Sequence, residues 1–289
     1  MSELVRVVDA RAKDLGDGVR VARVLPQIGQ RNVGPFVFLD HFGPAAFAPG
    51  HGLDVRPHPH IGLATVTWLF DGEITHRDSL GFIQVIRPGE VNWMTAGRGI
   101  VHSERSGDAV RASGGTSHGL QFWVALPLGA EECEPAFVHH GAGDIPARTI
   151  ADATIHLIAG TAFGHTSPVA THSRLFYAIV ALPAGARITV AADHPERAVY
   201  VVDGGVTVAG VSYAPHQLLV LGDQDVAITA TAASRVAIFG GDPLDAPRHL
   251  LWNFASSSPE RLLQARDAWK AGAFPIIPGD SDERIPFPD

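Results

Sequence analysis

Short runs of β-branched and aromatic residues, cut at close intervals by turn residues, restrict what this chain can fold into. Between Val5 and about Val138, the breaks include turn signals at Gly16–Gly18, Asp71–Gly72 and Pro88–Glu90. This alternation is typical of strands joined by tight turns. The pattern therefore predicts an all-β fold, either a sandwich or a barrel.

The length and a weak internal repeat predict two domains. A chain of 289 residues can bury two cores of ordinary size. The segments His58–Gly72 and His194–Gly204 both run from His-Pro through a β-branched strand to Asp-Gly. A stretch rich in Gly, Thr and Ser separates the halves, so we predict a duplicated β-domain with ranges 1–140 and 141–289.

One helix is predicted near the end of the chain, within residues 256–272. Ser257 and Glu260 have the spacing of a capping box, Pro259 suits a first helical turn, and Gly272 can end the helix. Three apolar residues share the face that we expect to pack on a sheet: Leu262, Ala265 and Trp269.

Composition disfavours several classes of protein. The net charge is −8 and the 22 Lys and Arg residues are scattered, which argues against nucleic-acid binding. No run approaches the length of a membrane span, and the first residues lack the basic start and apolar core of a signal peptide. We therefore expect a cytoplasmic protein with neither nucleic-acid nor membrane partners.

A single cysteine limits how the chain could hold a metal. Cys133 alone can form neither an internal disulfide nor a cysteine zinc cluster. Any bound metal must therefore use histidine and carboxylate ligands.

Two histidines one residue apart begin an apolar run. In an extended strand, His58 and His60 point to the same face. Continuing this alternation gives an apolar row that we predict to face the interior of a barrel: Gly62, Ala64, Val66, Trp68 and Phe70. An isolated pair of this kind is more often part of a surface or a core than a metal site.

A second pair with the same spacing strengthens the metal hypothesis. His102 and Glu104 lie about forty residues later, and turns between the segments could bring the two pairs together. Three imidazoles and a carboxylate without thiolates suit a transition metal, and six-coordinate iron would keep positions open for oxygen or substrate. The predicted ligands are His58, His60, His102 and Glu104.

The same motifs resemble the pirin family. The likeness lies in "HPHIG", "TVTWLFDGEITHRDSLG" and "RPGEVNWMTAGRGIVHSE", and it continues in "HGLQFWVALP" and "PRHLLWNFASSSPERL". The resemblance implies two cupin (jelly-roll) β-barrels in one chain, with a C-terminal helix. It also implies one divalent non-haem metal, Fe(II), bound in the N-terminal cupin by the four predicted ligands.

The chain also departs from the family pattern. Ala64 stands where cupins generally carry a glutamate, which leaves Glu104 as the only carboxylate expected at the metal. The second half has no His-x-His pair and is predicted to be a degenerate, metal-free cupin. His41, His76 and His118 could lie near the mouth of the metal site, but they are interpreted as ordinary turn or strand-end histidines and left out of the ligand set. Asp78 is interpreted as a solvated turn charge.

Two functions are consistent with these features. The first, implied by the resemblance, is a quercetin 2,3-dioxygenase-type enzyme acting on a small aromatic flavonol, enol or catechol with dioxygen. In that case Glu104 is the predicted catalytic base. The alternative is an iron-dependent regulatory protein that binds a protein partner without turnover.

Overall fold

The computed structural model describes residues 5–14 and 20–288 of the chain. Its regular structure is almost entirely β-strand, which confirms the predicted all-β class. The predicted turn at Gly16–Gly18 lies outside the described residues.

The strands are numbered in chain order. The first twelve are β1 (Val5–Asp9), β2 (Arg11–Asp14), β3 (Arg20–Leu25), β4 (Phe36–Phe47), β5 (Asp54–His60), β6 (Leu63–Gly72), β7 (Ile74–Asp78), β8 (Ile83–Ile86), β9 (Val91–Thr95), β10 (Ile100–Arg105), β11 (Gly115–Ala125) and β12 (Ala136–His140). The others are β13 (Arg148–Ile150), β14 (Ala153–Ala162), β15 (His165–Thr166), β16 (Leu175–Leu182), β17 (Arg187–Val190), β18 (Glu196–Asp203), β19 (Val206–Val208), β20 (Val211–Tyr213), β21 (Gln217–Leu221), β22 (Val226–Ala230), β23 (Ser234–Gly241), β24 (His249–Leu251) and β25 (Phe254–Ser256).

In the described residues, two α-helices accompany the strands. They are α1 (Asp108–Ser113) and α2 (Pro259–Lys270), with a 3₁₀ turn at Leu128–Ala130. Within the described part of the chain, no helix combines the length and the apolar character needed to cross a membrane.

The chain divides into two compact units that do not follow it in order. The first unit takes its residues from 1–13, 22–41 and 141–243, and the second from 14–21, 42–140 and 244–289. One junction falls at 140/141, the predicted boundary between the halves. Residues 22–41 and 244–289, however, each pack in the unit formed mainly by the other half. The domain ranges 1–140 and 141–289 stay a prediction.

The first unit contains two antiparallel sheets around one apolar core. One sheet has the order β1-β21-β18-β23-β16-β14-β13, with β15 beside β14, and the other has the order β17-β22-β19-β20. Val199, Val201, Ile228, Val236 and Ile238 are all buried in the same cluster. Val199 and Val201 alternate along β18, and Val236 and Ile238 alternate along β23, as expected for strands with one face on a core.

The second unit also pairs two antiparallel sheets. A four-stranded sheet has the order β5-β10-β7-β8, and a larger sheet has the order β12-β9-β6-β11, with β4 next to β11. Leu53, Leu69, Ile74 and Ile86 form a buried cluster that joins residues of both sheets.

Ala64, Val66 and Trp68 of the predicted apolar row are buried, but the row does not share the face of His58 and His60. β5 ends at His60 and β6 begins at Leu63, and Gly62 between them has a φ of +67°. Leu69 joins the cluster between the sheets and Thr67 is hydrogen-bonded to Glu104. The odd-numbered residues of β6 therefore face the interior, because the break at Gly62 changes the alternation that His58 and His60 begin.

The C-terminal helix is confirmed, with a correction to its cap. Its N-cap is Ser258, whose Oγ accepts from the backbone N–H of Arg261 at 3.2 Å. The predicted cap, Ser257, instead donates through Oγ to Glu131 at 2.8 Å. The predicted apolar face is buried as expected, and it consists of Leu262, Ala265 and Trp269.

The segment after α2 is tied to the strands β5 and β10. Asp280 accepts two hydrogen bonds from the Arg105 guanidinium, both at 2.9 Å. Ile285 donates its N–H to the carbonyl of Pro57 at 2.9 Å, and its own carbonyl accepts from Trp269 Nε1 at 3.0 Å. Contacts between residues at least 175 positions apart thus tie the C-terminal segment to the two strands that carry the predicted ligand histidines.

We predict that the core of the first unit contributes stability and no metal-binding group. Ile238→Ala should lower the free energy of unfolding by about 2–5 kcal/mol, because it leaves a cavity in a fully buried cluster. Chemical denaturation measures this loss, and metal analysis should show unchanged metal content. Val211→Ala, at a half-exposed position of the same unit, is the control and should lower the free energy of unfolding far less. A large loss of metal in folded Ile238→Ala would contradict the prediction.

Candidate metal centre

Three of the predicted ligands come together inside the second unit. His58 and His60 lie on β5, His102 lies on the neighbouring β10, and His102 is directly opposite His58 in the register. One ligand nitrogen from each histidine lies within 4.8 Å of the other two, and all three side chains are buried. Residues directly opposite or two apart share a face of a sheet, which explains this convergence.

Hydrogen bonds to backbone carbonyls orient two of these imidazoles. His58 Nδ1 lies 2.9 Å from the carbonyl oxygen of Arg56, and His60 Nδ1 lies 2.9 Å from that of Asn253. A carbonyl can only accept, so each Nδ1 must donate. A neutral imidazole that donates through Nδ1 carries a lone pair on Nε2.

The spacing of the Nε2 atoms fits a metal ion. His60 Nε2 and His102 Nε2 are 3.1 Å apart. Nitrogen ligands lie about 2.0–2.1 Å from a transition metal, so two in adjacent coordination positions are separated by about 3 Å. Imidazole nitrogens suit zinc, copper, iron and nickel. The donor set therefore fits a divalent transition metal.

Burial keeps the three imidazoles neutral. Desolvation is the main cause that lowers the pKa of His58 to about 4, from an ordinary value of 6.5. It also lowers the pKa of His60 and His102 well below the ordinary range, and the neighbouring histidines add to the effect. Only the neutral form can bind a metal, so burial prepares all three as ligands.

The fourth predicted ligand, Glu104, is not part of the histidine group. It follows His102 by two residues on β10, and a register irregularity between them shifts its partner on β5 to Val55. Its Oε1 accepts from the Thr67 hydroxyl at 3.2 Å. Desolvation raises the pKa of the Glu104 carboxyl above its ordinary value, although the residue is partly exposed.

The Thr67 hydroxyl connects Glu104 to a glutamine. Thr67 Oγ1 lies 3.2 Å from Glu104 Oε1 and 2.8 Å from Gln121 Oε1, but it carries one hydrogen. That hydrogen can be donated to an ionised Glu104, or to Gln121 when Glu104 holds a proton of its own. Gln121 Nε2 is buried and has no hydrogen-bond partner within the described residues.

The sequence analysis left His76 out of the ligand set and gave Asp78 no role at the site. Asp78 is fully buried, so its interpretation as a solvated turn charge was wrong. On β7 these residues lie directly opposite Glu104 and His102, and His76 Nδ1 is 3.4 Å from His102 Nδ1. The signal was present, because His76 and Asp78 have the same two-residue spacing as the two ligand pairs.

The other histidines considered from the sequence lie elsewhere. His41 Nδ1 is 2.9 Å from the hydroxyl of Tyr200, in the first unit, and the ring of His118 packs against Phe70. Among the residues that the structure describes, the histidine cluster is the one group of three such side chains with metal-binding spacing. A metal-free C-terminal half stays a prediction.

Known families and structures resemble the chain along most of its length. The Pirin family model matches residues 18–124, and the Pirin C-terminal cupin domain model matches residues 177–275. A pirin-like protein of Caulobacter vibrioides is 49% identical over 287 residues, which is 98% of this chain and 99% of the relative. A pirin-like protein of Solanum lycopersicum is 32% identical, over 93% of this chain and 91% of the relative.

A solved structure shares the fold almost completely. The crystal structure of quercetin 2,3-dioxygenase from Acinetobacter baumannii superposes with a TM-score of 0.91 and 34% sequence identity. The match covers 99% of this chain and 95% of that one. On its sequence and its fold, the chain belongs to the pirin family, with two cupin domains in one polypeptide.

Proposed function

We propose that the chain is a metal-dependent dioxygenase that oxidises a flavonol or a related enol or catechol. The observation that carries the proposal is a buried group of three neutral imidazoles next to a partly exposed carboxylate. A structural metal site is usually closed by four protein ligands, whereas three leave room for substrate. The similar structure named quercetin 2,3-dioxygenase supports this substrate class.

In this proposal His58, His60 and His102 hold one divalent transition metal, Fe(II). The bound metal would supply open coordination positions for dioxygen and for an enol oxygen. Both atoms of dioxygen enter the product, so the reaction needs no external reductant. The chain itself must bind the substrate, orient it and accept its acidic proton.

Glu104 is the group proposed to take that proton, either as a fourth ligand or from beside the metal. Its raised pKa makes the carboxylate a better base than an exposed glutamate. Once Glu104 is protonated, the Thr67 hydroxyl can donate to Gln121 instead. Gln121 Nε2, which has no partner within the described residues, is available in either state to donate to an oxygen of the substrate.

A regulatory, protein-binding function is the second candidate, and one observation favours it. Leu80, Phe82 and Ile83 are exposed together around the turn between β7 and β8. Clustered apolar side chains on a surface can mark a partner site. If iron-loaded protein takes up no oxygen with any flavonol, enol or catechol, this function becomes the better proposal.

We predict that the wild-type protein holds about one transition-metal ion per chain, because the three-imidazole group offers a single site. His58→Ala combined with His102→Ala should abolish metal binding, as measured by elemental analysis after anaerobic reconstitution. His194→Ala removes a buried histidine of the first unit and should leave the metal content unchanged. Two ions per wild-type chain, or metal retained in the double variant, would argue against the proposed centre.

Glu104→Gln separates proton transfer from metal binding. The amide keeps the shape of the side chain but loses its charge and most of its basicity. We expect substantial metal retention and a fall in flavonol-dependent oxygen uptake of about 10²–10⁴-fold per bound metal. Glu73→Gln, at a partly exposed surface ion pair, is the matched control and should retain full activity. Near-normal turnover in Glu104→Gln would remove Glu104 as the base.

Acid should destabilise the metal-free protein through His58. The unfolded chain binds a proton there near pH 6.5, whereas the folded chain binds it only near pH 4. Between these values the unfolded state holds more protons, so the free energy of unfolding falls as pH falls, by about 3 kcal/mol from this group. Urea denaturation at a series of pH values measures the loss, and His58→Leu should show a shallower pH dependence. Equal dependence in both proteins would contradict the prediction.

A further inference from the structure

A chain of three buried side chains leads away from the histidine cluster. His102 Nδ1 lies 3.4 Å from His76 Nδ1, and His76 Nε2 lies 2.9 Å from Asp78 Oδ2. All three residues are buried, with Asp78 fully inaccessible. His102 thus differs from His58 and His60, whose Nδ1 atoms donate to backbone carbonyls.

The Asp78 carboxylate determines which ring nitrogen of His76, and in turn of His102, carries the hydrogen. Its Oδ1 accepts from the backbone N–H groups of Leu80 at 2.9 Å and Phe82 at 3.1 Å, which holds Oδ2 toward His76. A carboxylate can only accept, so the hydrogen of a neutral His76 lies on Nε2. His76 Nδ1 then carries a lone pair and must accept from His102 Nδ1, which leaves the lone pair of His102 on Nε2.

We propose that His76 and Asp78 are positioning residues that select the metal-binding tautomer of His102. The proposal rests on the proposed metal centre, because it assigns His102 Nε2 as a ligand atom. It does not depend on which substrate is oxidised, or on turnover at all.

The surroundings hold this chain in place. The ring of Phe137 stacks on His76 with centroids 4.3 Å apart and planes 11° apart. On the sheet, His102 is directly opposite Asp78, so the backbone register of β7 and β10 sets the spacing of all three polar groups. A ligand orientation set in this way is already present before the metal arrives, which favours binding.

Two substitutions of His76 test whether its Nδ1 accepts the hydrogen bond from His102. The amide of His76→Asn lies near the Nδ1 position and can still accept from His102, while that of His76→Gln lies near Nε2 and can reach only Asp78. Zn(II) affinity, measured by chelator competition, should fall about 10–100-fold in His76→Gln. His76→Asn should lose less Zn(II) affinity than His76→Gln. Equal loss in the two variants, or affinity within twofold of wild type in His76→Gln, would overturn the proposal.

Asp78→Asn tests the tautomer directly. The two backbone N–H groups hold the amide oxygen, which turns the amide N–H₂ toward His76 Nε2 and moves the His76 hydrogen to Nδ1. With Zn(II) on His102 Nε2, two Nδ1–H groups would then face each other, so metal binding is opposed. In Zn(II)-loaded protein labelled with ¹⁵N-histidine, His76 should carry its hydrogen on Nε2 in wild type and lose that state in Asp78→Asn, with weaker Zn(II) binding. A wild-type His76 with its hydrogen on Nδ1 would contradict the assignment.

A matched control separates positioning from general damage. His194→Gln removes an equally buried imidazole of the first unit and should leave Zn(II) affinity unchanged. Circular dichroism of the metal-free variants checks that each one folds. Wild type that binds Zn(II) tightly, while its iron form takes up no oxygen, would overturn the dioxygenase proposal and leave this inference standing. Tight Zn(II) binding by folded His76→Gln would overturn this inference and leave the dioxygenase proposal standing.

Discussion

Three imidazoles buried side by side, with their unprotonated nitrogens turned toward one point, are the constraint on which the second unit depends. His60 donates through Nδ1, so its Nε2 carries a lone pair, and in the proposed tautomer of His102 the Nε2 atom 3.1 Å away carries one too, which suits a cation between them. Burial makes it costly to supply that charge as protons, as the lowered pKa values of the histidines show. A metal ion satisfies both requirements.

The fold meets this constraint by placing a hydrogen-bond partner beside the Nδ1 atom of each of the three histidines. The carbonyl of Arg56 serves His58 within its own strand, whereas the carbonyl of Asn253 serves His60 from 193 residues away. His102 uses side chains, through His76 and Asp78. Two of the three ligand orientations are therefore built into the backbone, and the third can be altered by substituting a side chain.

The polar groups beside the cluster have a different character. Glu104 is partly exposed, its Thr67 partner has a single hydrogen to share, and Gln121 retains a buried donor with no partner in the described chain. A group of side chains with unused hydrogen-bonding capacity suits a site that must receive a proton and bind another molecule. The Nδ1 atoms of the ligand histidines all have hydrogen-bond partners, whereas the polar groups beside them are only partly hydrogen-bonded. This contrast is the structural reason for preferring an enzyme to a closed structural site.

Some of this could be predicted from the sequence, and some could not. Alternating runs and turn residues indicated an all-β fold, and the two-residue spacing within each pair identified His58, His60 and His102 as candidate ligands. The same reasoning failed on β6, because the positive φ of Gly62 changes the alternation between strands. It also mistook Asp78 for a surface residue, since charge in a turn-like segment does not reveal burial.

The sequence by itself determined which side chains share a face of a strand and which residue types could bind a metal. Both follow from spacing along one strand, which is a local property. Only the tertiary structure decided which strands are neighbours, so it alone placed His102 opposite His58 and Glu104 outside the histidine group. It also brought the carbonyl of Asn253 to His60 and tied Asp280 to Arg105 on β10. These contacts join segments more than a hundred residues apart, and their pairing depends on how whole sheets pack rather than on any local pattern.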